Sequence, residues 1–366
     1  MKISTDKETL LRPLQLVGGV VERRQTLPIL ANILINASNG RMSITATDLE
    51  VELKTSVEVA VQEDRDFTLP ARKLIDICRA LPDEAKIEIA VEKDRATIRS
   101  GKSRFTLGML PARDYPAIEP SGMLHHFSIP EGKLKGMLEK THFAMAQQDV
   151  RYYLNGMLFE KEGEMIRTVA TDGHRLALNE QQAATGETSD FQVIIPRKAV
   201  LELTRMLSDD DREIAIEVGA NHIRILLGDT IFTSKLIDGK FPDYKKVIPV
   251  DLDKEVIADR ERMKQALQRT SILSNEKYRG IRFQFKPGVV QLLAHNPEQE
   301  EAEEELEVGY DREEIAIGFN VGYLIDVLSV IDAKEIKMQL KDENSSCLIG
   351  SSDSSESRYV VMPMRL

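Results

Sequence analysis

The chain of 366 residues has no tryptophan, two cysteines and 5% aromatic residues, and its 49 lysines and arginines are outnumbered by 60 aspartates and glutamates. Each shortage excludes something. Cys78 and Cys347 stand on separate apolar-patterned segments, so a disulfide framework is not expected and a reducing cytoplasm is. No stretch approaches the roughly 18 apolar residues of a membrane span, and Met1–Lys7 lacks the apolar core of a secretory leader. A soluble cytoplasmic protein, off the membrane, is therefore expected. No zinc-finger spacing and no aromatic-rich strand is present to read nucleic-acid bases. The net formal charge of −11, taken alone, argues against binding a phosphate backbone.

What is present is a threefold repeat. Thr47-Asp48-Leu49-Glu50 recurs as Thr171-Asp172-Gly173-His174 and Asn296-Pro297-Glu298-Gln299, at intervals of 124 and 125. Pro70, Pro196 and Asn320 anchor a second series, 126 and 124 apart, and Phe105, Phe232 and Tyr359 begin a third, 127 and 127 apart. Solenoid repeats run only about 20 to 50 residues, so copies this long are domains with their own cores. The boundaries are set at residues 1–124, 125–250 and 251–366. The joints, Glu119–His126 and Val247–Asp253, are too short for flexible linkers.

Each repeat reads as strand, helix, strands, second helix, strands, which is an α+β fold of helices packed on antiparallel sheets. Val51, Leu53, Thr55, Val57 and Val59 alternate with Glu50, Glu52, Lys54, Ser56 and Glu58, giving a buried and a wet face. Helices are predicted at Lys7–Val17, Ala71–Leu81, Glu131–Phe143, Arg197–Leu207, Arg260–Thr270 and Val321–Ile331, the last capped by Asn320. These spans sum to a formal charge of +8, leaving −19 on everything else. Arg72, Asp76 and Arg79 share a face of the second helix. Lys198, Glu202 and Arg205 match them in the next repeat, whereas Gly322, Asp326 and Ser329 carry no base in the third. Basic side chains often merely solubilise exposed helix backs, but their segregation onto five helices against an acidic remainder suits sequence-independent contact with phosphates.

Six blocks carry a resemblance to a known family: Gln148–Phe159, Thr168–Leu176, Phe232–Tyr244, Ile272–Lys277, Asn296–Glu304 and Tyr359–Leu366. They resemble the beta subunit of bacterial DNA polymerase III, the sliding-clamp family, over the whole chain. The resemblance implies a head-to-tail homodimeric ring of six similar domains that encircles duplex DNA and tethers polymerases, without catalysis, cofactor or metal. It implies DNA contacts at Arg24, Arg72, Gln148, Tyr152 and Tyr153, with Lys198 beside them. It also implies a peptide cleft between the second and third domains. This would be lined by Arg151, Tyr153, Leu154, Thr171, Gly173, His174, Arg175, Leu176, Pro242, Lys246, Val247, Val360, Met362, Pro363, Met364 and Arg365. The partners implied are the clamp loader, replicative and translesion polymerases, mismatch-repair proteins and DNA ligase. Lys245-Lys246 stands where the enterobacterial pattern has two arginines, so bidentate geometry is absent there. Gln25 replaces a proline beside Arg24, and the Glu63–Asp66 loop is one residue shorter.

Several of these segments also have plainer readings. Gln148–Tyr153 could be a loop leading into a Leu154–Phe159 strand. Val360–Leu366 is either a last core strand or a docking surface, its two methionines suited to an adaptable pocket. The run Glu298–Glu307 could be solvated, yet it continues into a Leu306–Val308 strand. Lys93, Arg95, Arg99, Lys102 and Arg104 surround the edge of the first domain, so opposite charges suit a head-to-tail contact. The contact is expected to join Phe105 and Leu107 to Ile272 and Leu273. Glu298, Glu300, Glu301 and Glu304 would then face Lys73, Lys102 and Arg104. Two other classes of function stay open on the residues alone: a three-domain peptide scaffold, and a hydrolase centred on His174. Against the hydrolase, the other histidines show no ligand spacing with His174, and no phosphate-binding loop, G-x-S-x-G or H-E-x-x-H occurs.

Overall fold

The computed structural model describes residues 1–21, 27–118, 122–183, 186 and 189–365. Helices α1 (Lys7–Val17), α2 (Ala71–Ala80), α3 (Glu131–Glu139), α4 (Arg197–Met206), α5 (Arg260–Thr270) and α6 (Val321–Val330) punctuate antiparallel strands. Local chemistry explains their starts. Asp6 and Asp259 accept the Thr9 and Arg262 amides at 2.9 Å, and Asn320 accepts that of Gly322 at 2.9 Å. Each thereby satisfies a donor that the first helical turn leaves free. In α2 the apolar stripe Leu74, Ile75 and Cys78 is buried while Arg72, Asp76 and Arg79 are exposed. Burial pushes the Cys78 thiol up to about 12, so it packs as a small hydrophobe rather than reacting.

The strands form four sheets. One of eight runs Met123–Pro130, Glu213–Gly219, His222–Leu227, Thr230–Lys235, Val51–Glu58, Arg41–Thr47, Asn32–Ser38, Arg65–Pro70. The other of eight runs Phe191–Pro196, Gly156–Glu162, Met165–Thr171, Arg175–Gln182, Ser357–Val361, Cys347–Ser351, Glu335–Leu340, Lys254–Asp259. Each is two four-strand halves from successive repeats, zipped at one antiparallel joint. At the first joint Phe232 lies opposite Leu53, and at the second Val360 lies opposite Leu176. The counterparts of these joint strands in the remaining positions are Glu301–Glu307 and Ser103–Gly108. These end the four- and five-stranded sheets respectively, with no further strand beside them among the described residues.

The described residues divide into two compact units, Met1–Lys133 with Thr185–Glu187 and Leu201–Leu236, and Leu134–Ala184 with Thr188–Val200 and Ile237–Leu366. Strands of the central repeat thus belong to both. The repeat is visible at atomic detail in its hairpin turns. Thr47 Oγ1 donates to the Val51 carbonyl at 2.9 Å, and Asp48 accepts from the amides of Glu50 and Val51. Thr171 and Asp172 repeat each bond with Arg175 and His174. The third residue of the turn has positive φ in the first two copies, Leu49 at 78° and Gly173 at 89°, and Gln299 has φ 64° in the third.

Four details differ from the sequence-based expectation. Helix α3 stops at Glu139 rather than Phe143, because the Thr141 and Thr168 hydroxyls both donate to the Met137 carbonyl, at 2.8 and 3.0 Å. The Thr141 amide turns back to Leu138 instead, and the chain tightens into a 3-10 turn at His142–Ala144. Leu154 belongs to a 3-10 turn, Tyr152–Asn155, and the strand that follows is Gly156–Glu162, buried on both faces up to Lys161. The acidic run is itself a strand, Glu301–Glu307, whose alternate residues face outward. Glu52, expected on the wet face, is half-buried and accepts the Ile118 amide at 3.0 Å, and burial raises its carboxyl pKa.

Two glycines test this packing. A Cβ on Gly156 would lie 2.6 Å from the Ile195 carbonyl oxygen and within 3 Å of Ile194 and Ile237, whereas one on Gly136 in α3 meets nothing within 4 Å. Gly156→Ala is expected to destabilise by about 1–3 kcal/mol through overpacking. Gly136→Ala is expected to stabilise by up to about 1 kcal/mol through helix propensity. Urea unfolding measures both, and equal effects would contradict the packing described.

Candidate functional site

The second joint builds a buried apolar cluster where the cleft is expected. Leu176 and Val360, cross-strand neighbours, join Leu158, Val169, Leu178, Ile194, Phe241 and Tyr244 in one buried cluster, and Tyr153, Val247 and Ile248 pack on it half-buried. Tyr244 begins a 3-10 turn, Tyr244–Lys246, and Val247 follows it directly. The Tyr244 hydroxyl donates to Glu160 at 2.6 Å, and burial and this carboxylate push its pKa up, so it stays a neutral donor. Glu160 is held in turn by Arg167, which also pairs with Glu162 and Glu180. A satisfied polar frame therefore backs the apolar floor. Leu154 is buried and Pro242 half-buried. The carboxyl-terminal segment is tied down: the Met362 amide donates to the His174 carbonyl at 3.0 Å and the Met364 amide to that of Gly318 at 2.8 Å. Met362 remains 39% exposed, Pro363 and Met364 are half-buried, and Arg365 is exposed. Val360 and Val361 complete a core strand, and Met362 to Arg365 follow it outside the sheet.

Arg175, expected in the cleft, is held on several sides within the chain. Its Nε bonds Asp172 at 3.1 Å, one terminal nitrogen bonds Asp326 at 2.6 Å, and the other bonds the Phe143 carbonyl at 2.8 Å. Its guanidinium also lies 4.5 Å from the Tyr323 ring centre and 5.2 Å from that of Phe143. Every edge of the cation is used, so Arg175 braces this turn against Asp326 and Phe143. The His174 ring stacks on Tyr323 at 6.5 Å. Asp172 is spent on Arg175 and on the amides of His174 and Arg175, which leaves it no base role beside His174. Arg151 bonds Asp149 and the Asp172 carbonyl and holds the Asp149 carboxyl down to about 2. A Cβ on Gly173 would stand 3.0 and 3.1 Å from the two terminal nitrogens of that guanidinium. Lys246 is exposed and pairs with Asp243 at 2.9 Å, a contact an ammonium makes without bidentate geometry.

The expected DNA residues fall on separate elements. Arg24 lies outside the described residues, as does Gln25. Arg72 is exposed on α2, Lys198 is half-buried on α4, and Arg205 is already paired with Glu202 at 2.8 Å. Gln148 is exposed at φ 55°, in a loop closed by two bonds between Asp149 and Asn155 at 2.9 and 2.8 Å. Tyr152 is 57% exposed and meets the half-buried Tyr153 edge-on. Of the expected interface residues, Ile272 is 76% exposed, Leu273 and Phe105 are half-buried and Leu107 is buried. Lys73, Glu300 and Glu301 are exposed, as is Glu298, while Glu304 bonds Arg269 at 3.0 Å within its own chain. Among the described residues no three His, Cys, Asp or Glu side chains are grouped to hold a metal, and no helix is long and apolar enough to cross a membrane.

Three copies of one helix-and-sheet unit, zipped edge to edge, with a buried apolar cluster at the second joint, define a DNA clamp. Family models for the N-terminal, central and C-terminal domains of the DNA polymerase III beta subunit match residues 1–119, 128–243 and 245–365. The beta sliding clamps of Pseudomonas aeruginosa and Escherichia coli K12 are 52% and 48% identical, over 100% of both chains in each case. A crystal structure of the Pseudomonas aeruginosa clamp bound to griselimycin matches with TM-score 0.97 at 52% identity, again over 100% of both chains. The chain belongs to the DNA polymerase III beta subunit family, the bacterial sliding clamps. It is a DNA polymerase processivity factor, a head-to-tail dimeric ring that encircles duplex DNA without sequence specificity and tethers polymerases through a peptide-binding cleft. It is an accessory subunit and not an enzyme.

Sequence reasoning missed Glu160, Tyr244, Phe143, Tyr323 and Asp326. Tyr244 ends a recognised block, and Asp326 reads from sequence only as a helix-face acid, so their signals are present without partners. The brace predicts that Arg175→Ala costs about 2–4 kcal/mol and weakens peptide binding, with Arg175→Lys recovering only part because an ammonium cannot fork between two carboxylates. Urea unfolding and peptide titration check this. A Lys variant equal to the parent would show that the fork is dispensable.

Proposed function

We propose that the ring closes by pairing Ser103–Gly108 of one chain with Glu301–Glu307 of the next. The observation behind this is the leftover pair of edges. Thr230–Lys235 and Ser357–Val361, the counterparts of Ser103–Gly108, each pair with a counterpart of Glu301–Glu307 inside the chain. Carrying their register over puts Arg104 opposite Glu303 and Leu107 opposite Glu300. The head-to-tail repetition closes after two copies, and both exposed edges are thereby satisfied. Phe105, Leu107, Ile272 and Leu273 supply the apolar centre, and Lys73, Lys102, Glu298, Glu300, Glu301 and Glu304 the charged rim. Domain boundaries at residues 124 and 250 accord with this division into repeats.

Arg24, Arg72, Gln148, Tyr152, Tyr153 and Lys198 contact the sugar-phosphate backbone, where an acidic protein offers cations without reading base edges. Arg151, Tyr153, Leu154, Thr171, Gly173, His174, Leu176, Pro242, Lys246, Val247, Val360, Met362, Pro363, Met364 and Arg365 take short apolar segments of partners, with Arg175 bracing them. Those partners are the clamp loader, replicative and translesion polymerases, mismatch-repair proteins and DNA ligase, which compete for the site in the cytoplasm. Griselimycin, bound by the Pseudomonas aeruginosa clamp, would compete as well.

Rim ion pairs are worth about 0–1 kcal/mol each, and Glu304 already has an internal partner. Ile272→Ala with Leu273→Ala is therefore expected to give monomers in sedimentation at micromolar concentration. A dimer that survives this change but dissociates on charge reversal at Glu301 and Glu304 would reverse the assignment. Removing Met362–Leu366 is expected to leave the dimer intact and abolish binding of a labelled polymerase-tail peptide, and unchanged peptide affinity would rule the cleft out. Arg72→Ala and Lys198→Ala are each expected to lower the slope of log affinity against log salt by about 0.9 for each phosphate they no longer neutralise. Slopes equal to the parent's would remove those helices from the DNA surface.

A further inference from the structure

The third repeat lacks the basic residue that begins the helix face in the other two. Arg72 and Lys198 are the second residues of α2 and α4, and the matching residue of α6 is Gly322. The space that glycine leaves is not vacant. A Cβ built on Gly322 would stand 3.7 Å from a terminal nitrogen of Arg279 and 3.9 Å from its guanidinium carbon. Arg279 comes from the loop before the strand Gly280–Lys286, and its carbonyl accepts the amide of Val321, the first residue of α6, at 2.9 Å. The loop thus sets a guanidinium where the other repeats launch a basic side chain from the helix. Arg279 is exposed, and no carboxylate among the described residues pairs with it.

The same loop matches a second feature of the central repeat. Tyr152 and Tyr153 precede the first strand of their sheet, Gly156–Glu162, and Lys277 and Tyr278 precede the corresponding strand of the third repeat. Tyr278 is 57% exposed, as Tyr152 is, and the Lys277 ammonium lies 5.1 Å from its ring centre. An exposed cation, an exposed ring and a second cation on three consecutive residues suit a sugar-phosphate backbone.

We propose that Arg279, with Lys277 and Tyr278 beside it, is the DNA-backbone contact of the third repeat, supplying from a loop the charge that Gly322 has removed from the helix. This rests on the assignment of Arg72 and Lys198 to the DNA surface. What matters is where the charge stands, since a phosphate senses the position of a cation and not the element that carries it. The room that Gly322 provides is part of the device, because a long side chain there would compete with the guanidinium for the same place.

The test uses the full-length clamp and a labelled duplex without a defined target sequence, titrated at several salt concentrations. Arg279→Ala is expected to weaken binding and to lower the salt slope by about 0.9 for each phosphate left without its cation, while Arg279→Lys keeps the slope. The double variant Arg279→Ala with Gly322→Arg is expected to restore it by returning the charge to the helix. An unchanged slope for Arg279→Ala alongside a lowered one for Arg72→Ala would overturn this inference and leave the basic helices in place. If neither variant changes the slope, the assignment of the helices falls and this contact with it. An effect confined to binding of the labelled polymerase-tail peptide would assign Arg279 to the cleft and overturn the proposal.

Discussion

An antiparallel sheet edge presents a row of amides and carbonyls that must find partners, and this requirement organises the molecule. Each repeat offers two such edges. Val51–Glu58 finds Thr230–Lys235, and Arg175–Gln182 finds Ser357–Val361, so two of the three joints are made within one chain. Ser103–Gly108 and Glu301–Glu307 are left at the ends of their sheets. An acidic strand is a poor candidate for indiscriminate edge pairing, since seven carboxylates between Glu298 and Glu307 repel any partner that is not basic. The sequence of that strand therefore restricts which edges could pair with it.

The buried apolar cluster is a consequence of the second joint. Bringing Leu176 against Val360 places strands from two repeats side by side, and the segment Phe241–Ile248 closes over them with Tyr244 anchored on Glu160. The first joint has the same turn chemistry at Thr47 and Asp48 but ends in Val51 where the second has Arg175. That one difference brings a cation to the turn, and Asp326 and the rings of Phe143 and Tyr323 gather round it. A shared backbone motif has been given a local function by one side chain.

Electrostatics divide along the same lines. The net charge of −11 describes the whole, yet the helical spans are basic and the exposed strand Glu301–Glu307 is acidic. Mean charge is a poor guide because phosphate contact depends on the few cations nearest to it and decays within about a Debye length, roughly 8–10 Å in physiological salt. Several of those cations are spent internally, as Arg205 is on Glu202 and Arg269 on Glu304. The charges that remain available are fewer than the composition suggests, and they include Arg72 on α2 and Arg279 in a loop.

The threefold period, the helices and the alternation of the strands were all legible in the chain alone, because they follow from short-range rules of capping and side-chain periodicity. Asn320 caps its helix as read, and α1 and α5 begin and end where the pattern places them. The repeat and six sequence blocks were also enough to identify the family. Folding settles the rest. The end of α3 depends on Thr168, which takes the Met137 carbonyl from 31 residues away. Arg175 is saturated by Asp326, 151 residues distant, Glu304 is held by Arg269, and Tyr244 hangs from Glu160. Partner choice among polar side chains depends on which strands are zipped together, and no local pattern encodes that. The sequence states which residues can carry charge and hydrogen bonds, and the joints between repeats decide which of them are already spent.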